Sequence, residues 1–325
     1  MLRLGFVRRF LIAAGLALSL APAFAESSFP NRPITLVVPL PAGGTADILA
    51  RIAAEQMRNV LGQSVVVENR AGGAGGLVGT EQVFKSPADG YTLLCAPQLT
   101  FSVANLLNPK MSFEPGTMEP VSVLAAYPAI LLTRGDFPAD NVPDLIAYAK
   151  ANPGKINYAS GGKGQIHHLF MEQLMHMAKI QMVHVPFRGS APAITALVGG
   201  QVDILADLLP ATKAAIEARK IKLLAVGSAT RLKAFPNVPA MTEFLPGFEA
   251  DTWMAIAAPP GTAKEITRKI SDAIAKAFRA PEVNARIAAL DVEPLGTTPE
   301  AMTELIKKSA ARWTPLIQAA KITLE

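Results

Sequence analysis

Past Pro33 the run "ITLVVP" is short, continuous and rich in β-branched residues, and a proline closes it, so it predicts a buried strand. Apolar positions Ile48, Leu49, Ile52, Ala53, Met57 and Val60 then recur at helical spacing. Thr45 is placed to cap that helix, Asp47 lies in its first turn and Gly62 ends it. The unit repeats as strand "SVVVEN", turn "RAGGAGG", helix "LVGTEQVFKS" and strand "YTLLCAP". Such alternation predicts a parallel sheet.

Across residues 120–137 the rhythm breaks, because the apolar runs "VSVLAA" and "AILLT" are separated only by Tyr127-Pro128. This marks a crossing into a second domain, where strands "KINYAS", "MVHVPF", "VDILAD" and "IKLLAVGS" alternate with helical segments. From "TWMAIAAP" the chain crosses back, and its last third is helical, with Ile266, Ile270, Ile274 and Phe278 on one face and Met302, Leu305, Ile306 and Trp313 on another. The expected fold is therefore an α/β clamshell: two domains, each a mainly parallel sheet flanked by helices, joined by two interdomain crossings around a cleft. Residues 26–126 with 252–325 form domain 1, and residues 127–251 form domain 2.

The first 25 residues stand apart: Arg3, Arg8 and Arg9 precede a short apolar run and the small-x-small site Ala23-Phe24-Ala25, the pattern of a secretory signal peptide cleaved near Ala25. That leader carries three arginines and no acid, so the formal charge of +5 falls to +2 without it. No basic run exceeds a doublet, which argues against a nucleic-acid partner. Cys95 is the single cysteine, so no intramolecular disulfide can form. A periplasmic address follows, with the Arg8-Arg9 pair compatible with Sec or Tat export.

Two stretches suggest chemistry. In "VPLPAGGTADILAR", residues 38–51, a strand passes through proline and two glycines into a helix, which offers unpaired N–H groups to an anion. "YASGGKGQIHHL", residues 158–169, repeats that logic in the second domain. Ligands of open α/β sheets bind outside the carboxyl ends of the strands, where both turns belong. Neither turn contains the phosphate-loop sequence, "GGKGQIHH" only half approaches the dinucleotide fingerprint, and no G-x-S-x-G elbow supports Ser160 as a nucleophile. His168, Glu172 and His176 are spaced for a metal row, yet His176 lies in the methionine-rich "MEQLMHMAK", where a packed or exposed histidine is the better reading. His167 and His168 are expected as donors at the helix start, and His184 as a core imidazole. No cofactor, metal or catalytic residue is expected. Gln98, Thr100 and Asp207 follow strands and should line the cleft.

Six segments, "FPNRPITLVVPLPAGGTADILAR", "LGQSVVVENRAGGAGGLVGTEQV", "SPADGYTLL", "NYASGGKGQIHHLFMEQ", "VHVPFRGSAPAITALVGGQVDIL" and "GFEADTWMAIAAPPGT", resemble in order the patterns of the Bug family, the extracytoplasmic receptors of tripartite tricarboxylate transporters. The resemblance implies a periplasmic binding protein whose ligand is a small organic acid: a di- or tricarboxylate or an aromatic carboxylate. It also implies that the first turn, with Pro41, Ala42, Gly43, Gly44, Thr45 and Asp47, receives a carboxylate through backbone N–H groups and ordered waters, Asp47 bracing the loop. Ser160, Gly161, Gly162, Lys163, Gly164, Gln165 and His168 meet the other end of the ligand. Two positions depart from the family pattern. Lys163 replaces a residue that is more often small and polar and suits a second carboxylate, and Phe187 replaces a tyrosine and makes the pocket less polar. The implied partners are membrane transporter subunits, with a monomer as the expected state. A ligand-sensing partner of a two-component kinase is the alternative, followed by an exported hydrolase or isomerase of small acids.

Overall fold

A computed structural model describes residues 29–324; the leader expected over residues 1–25 lies outside the described residues. The chain opens with β1 (Ile34–Val38), α1 (Thr45–Leu61), β2 (Val65–Asn69), α2 (Leu77–Phe84) and β3 (Thr92–Pro97), followed by the short helices α3 (Gln98–Ser102) and α4 (Ala104–Leu107). Next come β4 (Glu119–Arg134), α5 (Val142–Ala151), β5 (Asn157–Ser160), α6 (Ile166–Ala178), β6 (Val183–Pro186) and α7 (Ser190–Val198). Then follow β7 (Ile204–Leu208), α8 (Leu209–Glu217), β8 (Ile221–Val226) and β9 (Asp251–Ala258). The last elements are α9 (Lys264–Phe278), α10 (Pro281–Ala288), β10 (Glu293–Pro294) and α11 (Pro299–Ala319). Among the described residues no helix is long and apolar enough to cross a membrane.

In the first sheet β1 lies between β2 and β3 and is parallel to both, β9 is antiparallel to β3, and β4 is antiparallel to β9 and β10. In the second, β5 lies between β6 and β7 and is parallel to both, while β4 is antiparallel to β7 and β8. The expected parallel blocks are present. Each sheet is nevertheless mixed: the chain leaves the first along β4 and returns to it along β9, and such a pair must run in opposite directions, while β4 enters the second antiparallel to β7 and β8.

Where the sequence suggested two strands around Tyr127-Pro128, the structure has one. Residues 119–128 of β4 pair with β9 and residues 129–134 with β7 and β8. Proline has no N–H to give a ladder, and Pro128 stands where β4 changes partners. The next donor, Ala129 N, bonds at once to Ala250 O at 3.0 Å, so the strand continues through the proline.

Packing follows the periodicity. Ile270, Ile274 and Phe278 of α9 and Leu49, Ile52 and Met57 of α1 are buried in one core cluster with Leu36 and Leu93 of the sheet. Gly62 ends α1 in the left-handed region at φ 73°, its N–H on Arg58 O at 3.0 Å. A residue with a Cβ is strained there.

Asp251 begins β9 at the crossing. Burial, with the nearby charge of Glu249 and Glu293, pushes its carboxyl up to about 6 against the pull of Arg312 and Lys308. A raised carboxyl pKa means that the folded state holds the proton more tightly. The resulting stabilisation is full below the ordinary value of 3.8 and disappears as pH rises towards about 6. Asp251→Asn should therefore gain about 1–3 kcal/mol over the parent at about pH 7 and match it at about pH 3, compared by urea unfolding at both.

Candidate functional site

The β1–α1 turn is built by Asp47. Its Oδ2 accepts the N–H of Gly43 at 3.0 Å and Nε of Arg51 at 3.1 Å, and Arg51 also pairs with Oδ1 at 2.9 Å. Burial raises this carboxyl, but the bonds from Arg51, Gly43 and Asn69 outweigh it and hold the group below its ordinary value. Asn69 Nδ2 donates to Leu40 O at 3.1 Å, tying the turn to the neighbouring strand. Because Asp47 secures the loop, Thr45 does not cap the helix as its sequence position suggested. Gly44 is the cap residue, no side chain bonds to that end of α1, and Thr45 is the first helical residue, its Oγ1 buried without a hydrogen-bond partner.

The β5–α6 turn is held by aromatic rings behind it. Tyr158, His184 and His168 stack in sequence at centroid distances of 4.8 and 4.2 Å. Gly164 N–H donates to His168 Nδ1 at 3.2 Å, which leaves the Nε2 proton facing Glu172 Oε1 at 3.4 Å, and Tyr158 Oη donates to the same oxygen at 3.0 Å. Ser160 Oγ shares a 2.7 Å hydrogen bond with His184 Nε2 and accepts Gly162 N–H at 3.2 Å. Burial, and then the proximity of His168 and Lys163, take His184 down to about 4 despite Glu172, so it is neutral at physiological pH. His168 and Glu172 thus belong to a hydrogen-bonded brace, and His176 is exposed.

A third turn, between β6 and α7, joins the second: Phe187 N–H donates to Ser160 O at 3.0 Å and Gly189 N–H to Gly161 O at 2.9 Å. Gly189, at φ 103°, brings the backbone so near the first turn that a Cβ would stand 3.3 Å from Pro41 Cγ. Between the sheets lies an inner cavity of about 650 Å³ including its open part. Beyond Pro41 and Gly189 lies an outer one of about 1230 Å³, counted the same way, lined by Ala71, Gly72, Gly73, Gly75 and Gly76. The starts of α1 (Gly44, Thr45, Ala46), α6 (Gln165, Ile166, His167) and α7 (Gly189, Ser190, Ala191) all line the inner cavity. None of the three helices has a side-chain cap. Each helix N-terminus carries roughly half a positive charge and orphan N–H donors. Among the described residues no Asp or Glu lines either cavity, and Arg188 lines both.

Pro41, Ala42, Gly44, Thr45, Gly161 and Gln165 stand on the inner wall, and Gly162 and Lys163 on the outer one. Thr100 and Gly164 meet at a small side cavity with Leu324. Gly43, Asp47, Ser160 and His168 brace the turns from behind. Gln98 is buried and donates through Nε2 to Asp251 O at 3.3 Å. Asp207 is fully buried, its Oδ1 accepting from Ser190 Oγ at 2.8 Å and Leu208 N at 2.7 Å, with His167 Nε2 at 3.3 Å. Burial pushes Asp207 up, against His167, Ser190 and Leu208, and pushes His167 down against the pull of Asp207. Sequence reasoning missed Tyr127, Arg188, Ser190 and Thr252, and gave His167 only a capping role, yet all five line the inner cavity. The strand-glycine-helix pattern of "VPFRGSAP" was the available signal for Arg188 and Ser190.

Two α/β sheets sharing crossing strands, with helix N-termini turned into the cleft between them, define a two-domain periplasmic binding protein. Residues 49–322 match the family described as tripartite tricarboxylate transporter family receptor. The chain belongs to this family of solute-binding receptors, in agreement with the Bug resemblance. It is 36% identical over 314 residues to Protein BugT of Bordetella pertussis, covering 95% of this chain and 94% of that one. Among solved structures, R. palustris Rpa4515 with adipate is 34% identical with a TM-score of 0.87, over 91% of this chain and 99% of that one. MatC from Rhodopseudomonas palustris, with bound malate, is 31% identical with a TM-score of 0.83, over 89% and 100%.

Asp47→Ala frees Gly43 N–H and Arg51 together. A loss of about 1–3 kcal/mol is expected in urea unfolding at neutral pH, the range for hydrogen bonds to a charged group. Because the folded pKa is depressed, this contribution is present above pH 3.8 and is lost as pH falls through the lower folded value, so parent and variant should converge in acid.

Proposed function

We propose that this receptor captures a small organic acid, a di- or tricarboxylate or an aromatic carboxylate, and delivers it to the membrane subunits of a tripartite tricarboxylate-type transporter. One observation carries this reading: three uncapped helix N-termini converge on a cavity whose walls, among the described residues, hold no Asp or Glu. Fixed amide dipoles favour an anion there. Lys163 on the outer cavity and Arg188 on both supply positive charge for a second carboxylate, and adipate and malate in the two similar structures are dicarboxylates.

The proposed lobes are residues 26–126 with 252–325 and residues 127–251, and the change of β4 partners at Pro128 supports that division. An acid bridging the turns binds the closed arrangement better than an open one, so it shifts the population towards closure. Capture without turnover fits the place of Ser160, which is fully buried behind the turn and lines neither of the two cavities. The leader over residues 1–25 would direct the chain to the periplasm.

The test is a thermal-shift and calorimetric screen of mono-, di- and tricarboxylates and aromatic acids against their neutral amides. An acid at about 100 times its Kd should add about 2.7 kcal/mol of stability, visible as a raised Tm. Equal stabilisation by the amides would refute anion recognition, and consumption of a bound acid would refute simple capture.

A further inference from the structure

Thr45 and His167 belong to the helix starts, but a grip between turns gives no role to two side chains on the crossing strands. Tyr127 on β4 and Thr252 on β9 are register partners on the paired strands that carry the chain between the sheets. They are 2% and 1% exposed, both line the inner cavity, and neither Tyr127 Oη nor Thr252 Oγ1 has a hydrogen-bond partner. Proteins satisfy most buried hydroxyls, because leaving one unpaired forfeits its hydration with no return. Here two such groups lie side by side, at the spacing that lets cross-strand neighbours act on a common target. Around them the wall is largely apolar, with Leu40, Pro97, Leu208 and Met254. In a pocket of that kind a few placed polar groups fix which ligand fits and how it lies.

We infer that Tyr127 and Thr252 form a specificity floor that reads a second oxygen of the ligand, a hydroxyl or a further carboxylate, while its first carboxylate lies at the helix N-termini. This rests on the proposed capture of an organic acid and adds what distinguishes one acid from another. Burial, reinforced by Cys95, pushes the Tyr127 phenol far above its ordinary range, so it remains a neutral O–H that can donate to an oxygen or accept from a hydroxyl. Placement on the crossing strands has a mechanical consequence. Groups nearest the pivot move least when lobes rotate, so the floor is offered before closure and the turns fold onto a ligand already seated on it.

The test uses Tyr127→Phe and Thr252→Val, which remove each hydroxyl at nearly constant volume. Titration calorimetry compares propionate with lactate, butyrate with succinate and malate, and hexanoate with adipate. The parent should bind the oxygen-bearing member of at least one set about tenfold or more tightly, the scale of one good hydrogen bond. Both variants should reduce that preference to within about threefold while leaving the unsubstituted acid nearly unchanged. Urea midpoints without ligand should not fall, since neither hydroxyl bonds to the protein. Undiminished preference in the variants, an equal loss across all acids, or a lower ligand-free midpoint would each overturn the floor. A folded parent that binds none of these acids, nor any other in the screen, refutes the capture reading itself.

Discussion

The direction of β4 is the constraint on which the site depends. Through β9, antiparallel to each, β4 runs the same way as β3 and β1, while it runs opposite to β7 and therefore to β5 and β6. The strands of the first parallel block thus advance towards the second sheet, and those of the second block advance towards the first. Every turn that leaves the carboxyl end of β1, β5 or β6 must then face the junction. A right-handed α/β unit places a helix N-terminus after each such turn. Convergence of three helix starts on one cavity is a consequence of strand order, before any ligand is considered.

The turns themselves are kept ready by groups behind them. Asp47 pulls the first loop inward through Gly43, and the stacked rings of Tyr158, His184 and His168 fix the second through Ser160 and Gly164. His168, which the sequence spacing offered to a metal row, and His184 act here as shaped hydrogen-bonding plates. Polar groups held in place in advance lower the ordering cost of binding. Gly161 belongs to the same logic: a Cβ there would stand 2.8 Å from His167 Nδ1, so a glycine is what lets that imidazole pack beneath the turn.

Much of this was legible in the sequence because it is local. Strand-glycine-helix turns announce themselves by composition, and the outgoing crossing was visible as a break in rhythm around residues 120–137. Thr45 was misread because capping propensity is judged one residue at a time, whereas the loop is secured by Asp47 acting on Gly43. The run through Tyr127-Pro128 was split because a proline usually ends a strand, and only the partner exchange shows why it does not do so here. Tyr127 and Thr252 could not be found at all: each is an ordinary β-former in an apolar run, and their pairing joins positions 125 residues apart.

On the proposed capture of an organic acid, this arrangement would recognise an anion with no fully buried opposing charge. Two ions taken from water lose hydration that their attraction only partly restores, and such a pair tolerates little variation in geometry. Helix dipoles and backbone N–H groups are already oriented and partly desolvated by the fold, so an incoming carboxylate meets positive potential with no side chain to reorganise. The full charges of Lys163 and Arg188 line the outer cavity, and Arg188, which is exposed, lines the inner one as well. They can draw an anion inward, while the fixed dipoles hold it. On that reading, uniform attraction of this kind favours acids as a class, so discrimination falls to uncharged groups with a defined position, such as the pair inferred on the crossing strands.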